Sequence, residues 1–354
     1  MPAATPSNTT IDAPPPVAVG KRAMHALVQP EYGSADVLRL EEVETPEMGD
    51  DDVLVRVHAA SVSKGDVHLL TGKPYLVRLG FGLRRPKYRI AGQNVAGTVE
   101  AVGRNVTTMK PGDEVYGQVT SGFAEYVRTR ADALAPKPTR LSFEQAAAMP
   151  DSGMTALQAL RDAGRLQAGQ RVLINGASGG VGSFAVQIAK SMGADVTAVC
   201  STRHVDKVRS LGADEVVDYT KEDFTRQTGR FDVMLDLVGN RSLSACREVL
   251  KPTGTYVSCA GSPGGQWVGP IVWIMKVMLT GAFASQRMTS FLTKPRREDL
   301  IALSDLVEAG ALWPVIERQY TLREAADAVR HVAEGHAQGK TVIIVQRSGL
   351  HPAA

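Results

Sequence analysis

The sequence predicts an α/β protein, a β-rich leading half followed by a doubly wound parallel sheet, and three observations carry that expectation. Residues 171–190, RVLINGASGGVGSFAVQIAK, join the apolar run Val172, Leu173 and Ile174 to a glycine-rich turn and then to apolar residues at helical spacing (Phe184, Val186, Ile188, Ala189). Beyond this turn, strand-like runs at 196–200, 215–217, 231–238 and 254–259 alternate with helical patterns, the texture of βαβ units. Before it, from residue 24 to about residue 135, period-2 alternation dominates.

Taken in order, residues 1–21 are rich in Pro, Ala, Ser and Thr and lack an apolar core, so they are expected to be a disordered tail and not a secretory signal. Alternation at 53–58, 95–102 and 114–117 predicts strands, punctuated by Gly103, Pro111-Gly112-Asp113 and Gly122. After Leu141 the pattern turns helical through Phe143, Ala146, Ala147, Met149, Thr155, Leu157 and Leu160. Helices are expected at 297–310 and 322–334, with a closing strand at 341–345. The longest apolar run, 268–283, is interrupted by Pro270, Lys276 and Gly281, and no transmembrane segment is expected. A chain of 354 residues exceeds a typical single domain. A net charge of +3 is too small to imply a nucleic-acid partner. The three scattered cysteines, Cys200, Cys246 and Cys259, form neither a disulfide framework nor a zinc cluster. They fit a reducing compartment, and the expected location is cytoplasmic.

The strand, glycine turn and helix start at 172–184 make a diphosphate cradle. Backbone N–H groups of Ser178, Gly179, Gly180 and Val181 would face the anion, favoured by the helix dipole, where glycine permits close approach. An NAD site usually ends its second strand with Asp or Glu to hold the ribose 2′-hydroxyl. Here that place reads Cys200-Ser201-Thr202-Arg203. Ser201 and Arg203 suit a 2′-phosphate, so the expected cofactor is NADPH; alternatively Arg203 is a solvated residue opening the next helix.

Several further segments resemble the medium-chain dehydrogenase/reductase superfamily, in its zinc-independent, quinone-oxidoreductase-like branch. They are AASVSKGD at 59–66, VAGTV at 95–99, VYG at 115–117 with GFAEYV at 122–127, residues 147–160, SLGAD at 210–214 and GHAQGKTV at 335–342. The resemblance runs from about residue 23 to residue 345. It implies a GroES-like catalytic domain (22–148, rejoined by 291–347) with a Rossmann NADP-binding domain (149–290) inserted, the active site in the cleft, and a short tail at 348–354. It also implies that the zinc positions of related enzymes fall on Ser63, Gln93-Asn94 and Asp151, poor ligands beside thiolate and imidazole. No metal is expected. Hydride delivery to a conjugated, electrophilic carbon is the easier chemistry without a Lewis acid.

By the same resemblance, Ser63, where many relatives carry Asn, His68 and Tyr75 are the catalytic candidates, as donors or proton sources at the substrate oxygen. His68 reads equally as a surface histidine, Tyr75 as a packing residue, and Asp66 as structural. Thr155 is carried over as a nicotinamide contact, Tyr219 as a 2′-phosphate contact, and Val238 and Ala260 as strand ends facing the cofactor; the last two read equally as core. Arg78, Arg84, Arg85, Lys87 and Arg89 cluster around Phe81 and Tyr88, a solvated face or an acidic-ligand site. The apolar stretch 267–275 reads as core, pocket wall or subunit contact, and a homodimer is possible. The implied activity is NADPH-dependent reduction of an apolar quinone or α,β-unsaturated carbonyl. Alcohol oxidation and a crystallin-like, cofactor-binding protein with little turnover remain as alternatives.

Overall fold

The computed structural model describes residues 22–259, 269–335 and 337–346. The expectations for the tail at 1–21, for Ala260 and for the C-terminal residues from 348 onward lie outside the described residues. The chain opens with β1 (Ala23–Val28), paired antiparallel with β2 (Arg39–Glu44). The long β3 (Asp52–Val62) leads into α1 (Lys64–Thr71) and α2 (Val77–Phe81), and the chain returns as β4 (Asn94–Val102). Short strands β5 (Glu114–Gln118), β6 (Tyr126–Arg130) and β7 (Leu134–Pro136) complete this half.

Helices α3 (Phe143–Ala147) and α4 (Pro150–Gln158) cross to the second sheet, with Ser142 capping α3 and Pro150 opening α4 at a position that needs no backbone donor. There follow β8 (Arg171–Asn175), α5 (Gly180–Ser191), β9 (Asp195–Cys200), α6 (Val205–Ser210), β10 (Glu215–Asp218) and β11 (Phe231–Asp236). Then come α7 (Leu243–Glu248), β12 (Leu250–Ser258), α8 (Gly269–Phe283) and β13 (Arg287–Ser290). These six strands form one parallel sheet in the order β10-β9-β8-β11-β12-β13. The order reverses between β8 and β11, and such a switch point opens a ligand crevice at the strand C-termini.

The chain closes with α9 (Arg297–Glu308), β14 (Ile316–Thr321), α10 (Ala325–Ala333) and β15 (Lys340–Ile344). The last two strands return to the first half: the second sheet runs β14-β15-β3-β4-β5-β7, with β6 also paired to β3. Thr341 pairs with Val62 and Val342 with Ser61, so the start of β15 lies beside the start of α1. A continuous core holds the layers together, with Met154, Leu160, Phe184 and Leu303 fully buried in it. The Tyr116 hydroxyl of β5 donates to the Leu300 carbonyl of α9 at 2.6 Å, pinning one layer to the other.

β1, β2, β6, β7, β13 and β14 are absent from the individual strands expected from sequence. β14, IERQYT, is a polar edge strand whose hydrogen bonds to β15 are invisible in its composition. β12 begins at Leu250, earlier than expected, because Pro252 and Gly254 read as a turn while the chain pairs with β11 through a register shift. The described part of the apolar stretch belongs to α8.

Candidate active site

The glycine turn sits where the switch point requires it. α5 begins at Gly180, with Gly179 as an extended N-cap that has no side-chain bond to offer. Its first N–H groups are therefore left for a ligand. Gly176 adopts φ +91°, and a Cβ there would lie 2.7 Å from Val238 Cγ2. At Gly182 a Cβ would lie 2.2 Å from the Gly176 carbonyl oxygen and 2.7 Å from the Ala177 backbone. Ser178, Gly179, Gly180 and Val181 are partly exposed, whereas 182–189 are buried. A diphosphate fits this cradle.

The strand ends around the cradle are fixed by Asp236, whose side chain is fully buried. Its Oδ1 accepts from Asn175 Nδ2 (2.9 Å) and from the Val238 and Gly239 N–H groups (3.1 and 2.9 Å), and its Oδ2 accepts from the Tyr256 hydroxyl (2.8 Å). Val238 is exposed beside Gly176, so it is not a core residue. At the end of β9, Ser201 opens a short turn, Arg203 is exposed, and the Tyr219 N–H donates to the Cys200 carbonyl at 3.0 Å, so all three share one edge. The acid at this edge is Asp218, at the end of β10. Thr202 (2.6 Å) and Thr220 (2.7 Å) hydroxyls donate to it and hold its carboxyl at about 2.

A second buried group joins the cradle to the β-rich half. Lys340 is 2% exposed, and its Nζ donates to Ser152 Oγ at 3.2 Å. A Cβ at Gly180 would touch the Lys340 side chain at 3.5 Å, so the lysine lies against the turn. Burial pushes its ammonium below the ordinary lysine range, opposed by the nearby charges of Asp151 and Asp66. Asp66 completes the capping box of α1: its Oδ2 accepts from the Ser63 N–H (2.7 Å) and hydroxyl (3.0 Å). Its Oδ1 is buried with no partner, and burial raises the carboxyl to about 7. The signal for Lys340 was a cation at the head of an otherwise apolar closing strand; Asp66 had been read as structural.

Asp66 also lines a cavity of about 340 Å³. Tyr32, Leu69, Phe81, Tyr88, Ile90 and Val119 give it an apolar wall; Gln93, Gln118 and Pro295 lie on it as well. Gln118 Nε2 donates to Gln93 Oε1 at 3.4 Å, and Gln118 Oε1 is buried without a partner. Unsatisfied polar atoms around an apolar cavity are the lining that orients a small ligand.

The structure disperses the three catalytic candidates. Ser63 is buried, and its hydroxyl is committed to Asp66. His68 is exposed, its Nδ1 2.9 Å from the Lys73 carbonyl, and is not among the cavity-lining residues. Tyr75 stacks under the Arg78 guanidinium, 4.7 Å from its ring centre; the tyrosines that line the cavity are Tyr32 and Tyr88. Thr155 Oγ1 lies 2.6 Å from Thr293 Oγ1, close in sequence to Pro295 of the cavity wall. No described residue of α8 lines the cavity; Trp273 is buried and donates to Ser258 Oγ at 2.9 Å. The zinc positions do not fit the metal: a capped hydroxyl, an amide and a lone carboxylate. Among the described residues no group of three or more His, Cys, Asp or Glu could hold one.

A phosphate cradle at a switch point, with a buried lysine against it and an apolar cavity carrying a buried carboxyl nearby, defines a dinucleotide-dependent oxidoreductase. Comparison with known proteins agrees. The alcohol dehydrogenase GroES-like domain matches residues 49–140, and the zinc-binding dehydrogenase family matches residues 211–343. The mouse mitochondrial NAD(P)H oxidoreductase RTN4IP1 is 32% identical, covering 95% of this chain and 94% of its own. The 2-methylene-furan-3-one reductase of Solanum lycopersicum is 33% identical over 96% of this chain and 82% of its own. The quinone oxidoreductase structure from Coxiella burnetii superposes with a TM-score of 0.80 at 32% identity, covering 92% of this chain and 100% of that one. The chain belongs to the medium-chain dehydrogenase/reductase superfamily, in its zinc-independent, quinone-oxidoreductase-like branch.

Proposed function

We propose that the protein reduces a quinone or an α,β-unsaturated carbonyl compound with NADPH. The observation that carries this reading is the apolar cavity with Asp66 on its wall and, among the described residues, no metal-binding donor set beside it. The relatives named for quinone and furanone reduction support it. Ser178 to Val181 would hold the diphosphate, Lys340 would neutralise it from behind Gly180, and Arg203, Ser201 and Tyr219 would meet the 2′-phosphate. Thr155 and Val238 would flank the nicotinamide, which supplies the hydride when bound.

As hydride adds to the conjugated carbon, the displaced electron pair moves onto the substrate oxygen, and the product needs a proton. Asp66 keeps one at the cavity, because burial disfavours its carboxylate. The Ser63 N–H and hydroxyl position that carboxyl. Free thiols, with Cys200 and Cys246 buried and Cys259 half-buried, support a reducing compartment such as the cytoplasm; desolvation pushes Cys246 and Cys259 up to about 12. The exposed apolar stripe of α8 (Val272, Met275, Leu279, Phe283) supports a homodimer.

Steady-state NADPH oxidation against a panel of quinones, enones and simple alcohols with NADP+ tests the activity. Saturable turnover with quinones or enones is expected. Turnover confined to alcohols, or tight NADPH binding with no turnover, would overturn it.

A further inference from the structure

The segment between the cavity and solvent, residues 76–89, has a surface that reduction chemistry does not use. From Lys73 to Arg89 the sequence carries six cations and no Asp or Glu; none occurs between Asp66 and Glu100. Two of the cations are occupied within the fold. Arg78 lies over the rings of Tyr32 and Tyr75 and donates to the Gly72 carbonyl, and Arg89 faces Glu41 at 3.8 Å. Arg84, Arg85 and Lys87 are exposed and make no ion pair with a described residue. Beside them Leu79 is 72% and Leu83 67% exposed.

This is a held shape. The Tyr32 hydroxyl donates to the Phe81 and Gly82 carbonyls at 3.0 and 2.6 Å, the Lys87 N–H donates to the Phe81 carbonyl at 2.7 Å, and Gly82 turns the chain at φ +110°. The leucines are thereby kept out of the core while Phe81, Pro86, Lys87 and Tyr88 turn to the cavity. Cations alone would suit a nucleic acid or an acidic peptide. Leucines fixed in water next to unpaired arginines suit a partner that is apolar just beneath an anionic surface.

We propose that residues 76–89 dock the protein on an anionic phospholipid bilayer, with Leu79 and Leu83 entering the headgroup boundary and Arg84 and Arg85 meeting lipid phosphates. Because the same segment walls the cavity, docking turns the cavity mouth toward the lipid. This second consequence rests on the proposed reduction of an apolar substrate; the docking itself does not.

Vesicle flotation tests the docking, using the full chain with phosphatidylcholine vesicles, with vesicles containing about one quarter phosphatidylglycerol, and with duplex DNA. The wild type should float with the anionic vesicles at low salt, leave them at high salt, and ignore the neutral ones. Arg84→Glu with Arg85→Glu, and separately Leu79→Ser with Leu83→Ser, should each lower the bound fraction at least about tenfold with unchanged melting temperature. Turnover of a short-chain, water-soluble quinone should be the same in both variants, since none of the four residues lines the cavity. No binding to anionic vesicles, equal binding by both variants, or capture of DNA in place of vesicles would overturn the docking. Vesicle binding without turnover of any quinone or enone would leave the docking standing and overturn the proposed activity.

Discussion

Asp66 is the residue on which local structure and chemistry meet. One carboxylate oxygen caps α1 and the other is unsatisfied at the cavity. An unfolded aspartate titrates near 4, and burial holds this one at about 7. Its contribution to stability is therefore fully present below about pH 4 and is lost as the pH rises through 7. Lys340, lowered by burial, changes in the opposite sense. Asp66→Asn keeps an acceptor for the Ser63 N–H and removes the proton. Between pH 5 and 8 the wild type should lose stability relative to this variant, on the order of 1 kcal/mol per pH unit, in denaturant titrations. A pH-independent difference would show an unperturbed carboxyl. In turnover, kcat should fall as the pH rises through about 7 in the wild type, and the variant should be slow at every pH, by roughly 100-fold.

Arg203 belongs to the same scale. It is exposed at the edge shared by Ser201 and Tyr219, and a charge-assisted contact to phosphate is typically worth about 1.5–3 kcal/mol. Arg203→Ala should raise the NADPH dissociation constant by roughly one to two orders of magnitude and leave that of NADH nearly unchanged, as read by calorimetry. Equal weakening of both would assign Arg203 to the fold. Lys340→Met should weaken both cofactors alike, because the diphosphate is common to them.

At the scale of elements, the glycine turn separates two kinds of glycine. A methyl group at Gly182 would collide with the backbone of Gly176 and Ala177, neither of which can give way without moving α5 off β8. Gly182→Ala should lower the melting temperature by several degrees and abolish NADPH binding. At Gly180 the added carbon meets Lys340 and Ser152 at ordinary contact distances of 3.5 and 3.6 Å. Gly180→Ala should keep the fold, measured by circular dichroism, and lose affinity for cofactor alone. The motif reads alike at both positions in the sequence; the neighbour that distinguishes them is a backbone in one case and a flexible lysine in the other.

At the scale of the whole molecule, the two sheets meet because the chain returns: β15 pairs with β3 and carries Lys340 into the cleft. The site is made from residues near 30, 66, 93, 152, 178 and 340, so its chemistry depends on the layers staying docked. The donor set predicts that purified protein contains less than stoichiometric zinc by elemental analysis and keeps its activity after chelation. One zinc per chain, removed together with activity, would contradict this. No helix among the described residues is long and apolar enough to cross a membrane.

The sequence by itself determined the alternating α/β half, the glycine turn and the missing acid at the end of the second strand. These are local patterns: periodicity, turn chemistry and a residue at a fixed offset from a strand. It left the polar edge strand β14 unread, because edge pairing leaves no mark on composition. The cavity belongs to the tertiary structure, and with it the exchange of Tyr75 for Tyr32 and of His68 for Asp66 as the residues facing it. Which tyrosines, or which of two titratable groups two positions apart, turn inward depends on packing between segments distant in the sequence. There the start of β15 sets Lys340 against the glycine turn, within electrostatic reach of Asp66, and burial of that pair holds the proton the sequence could not place.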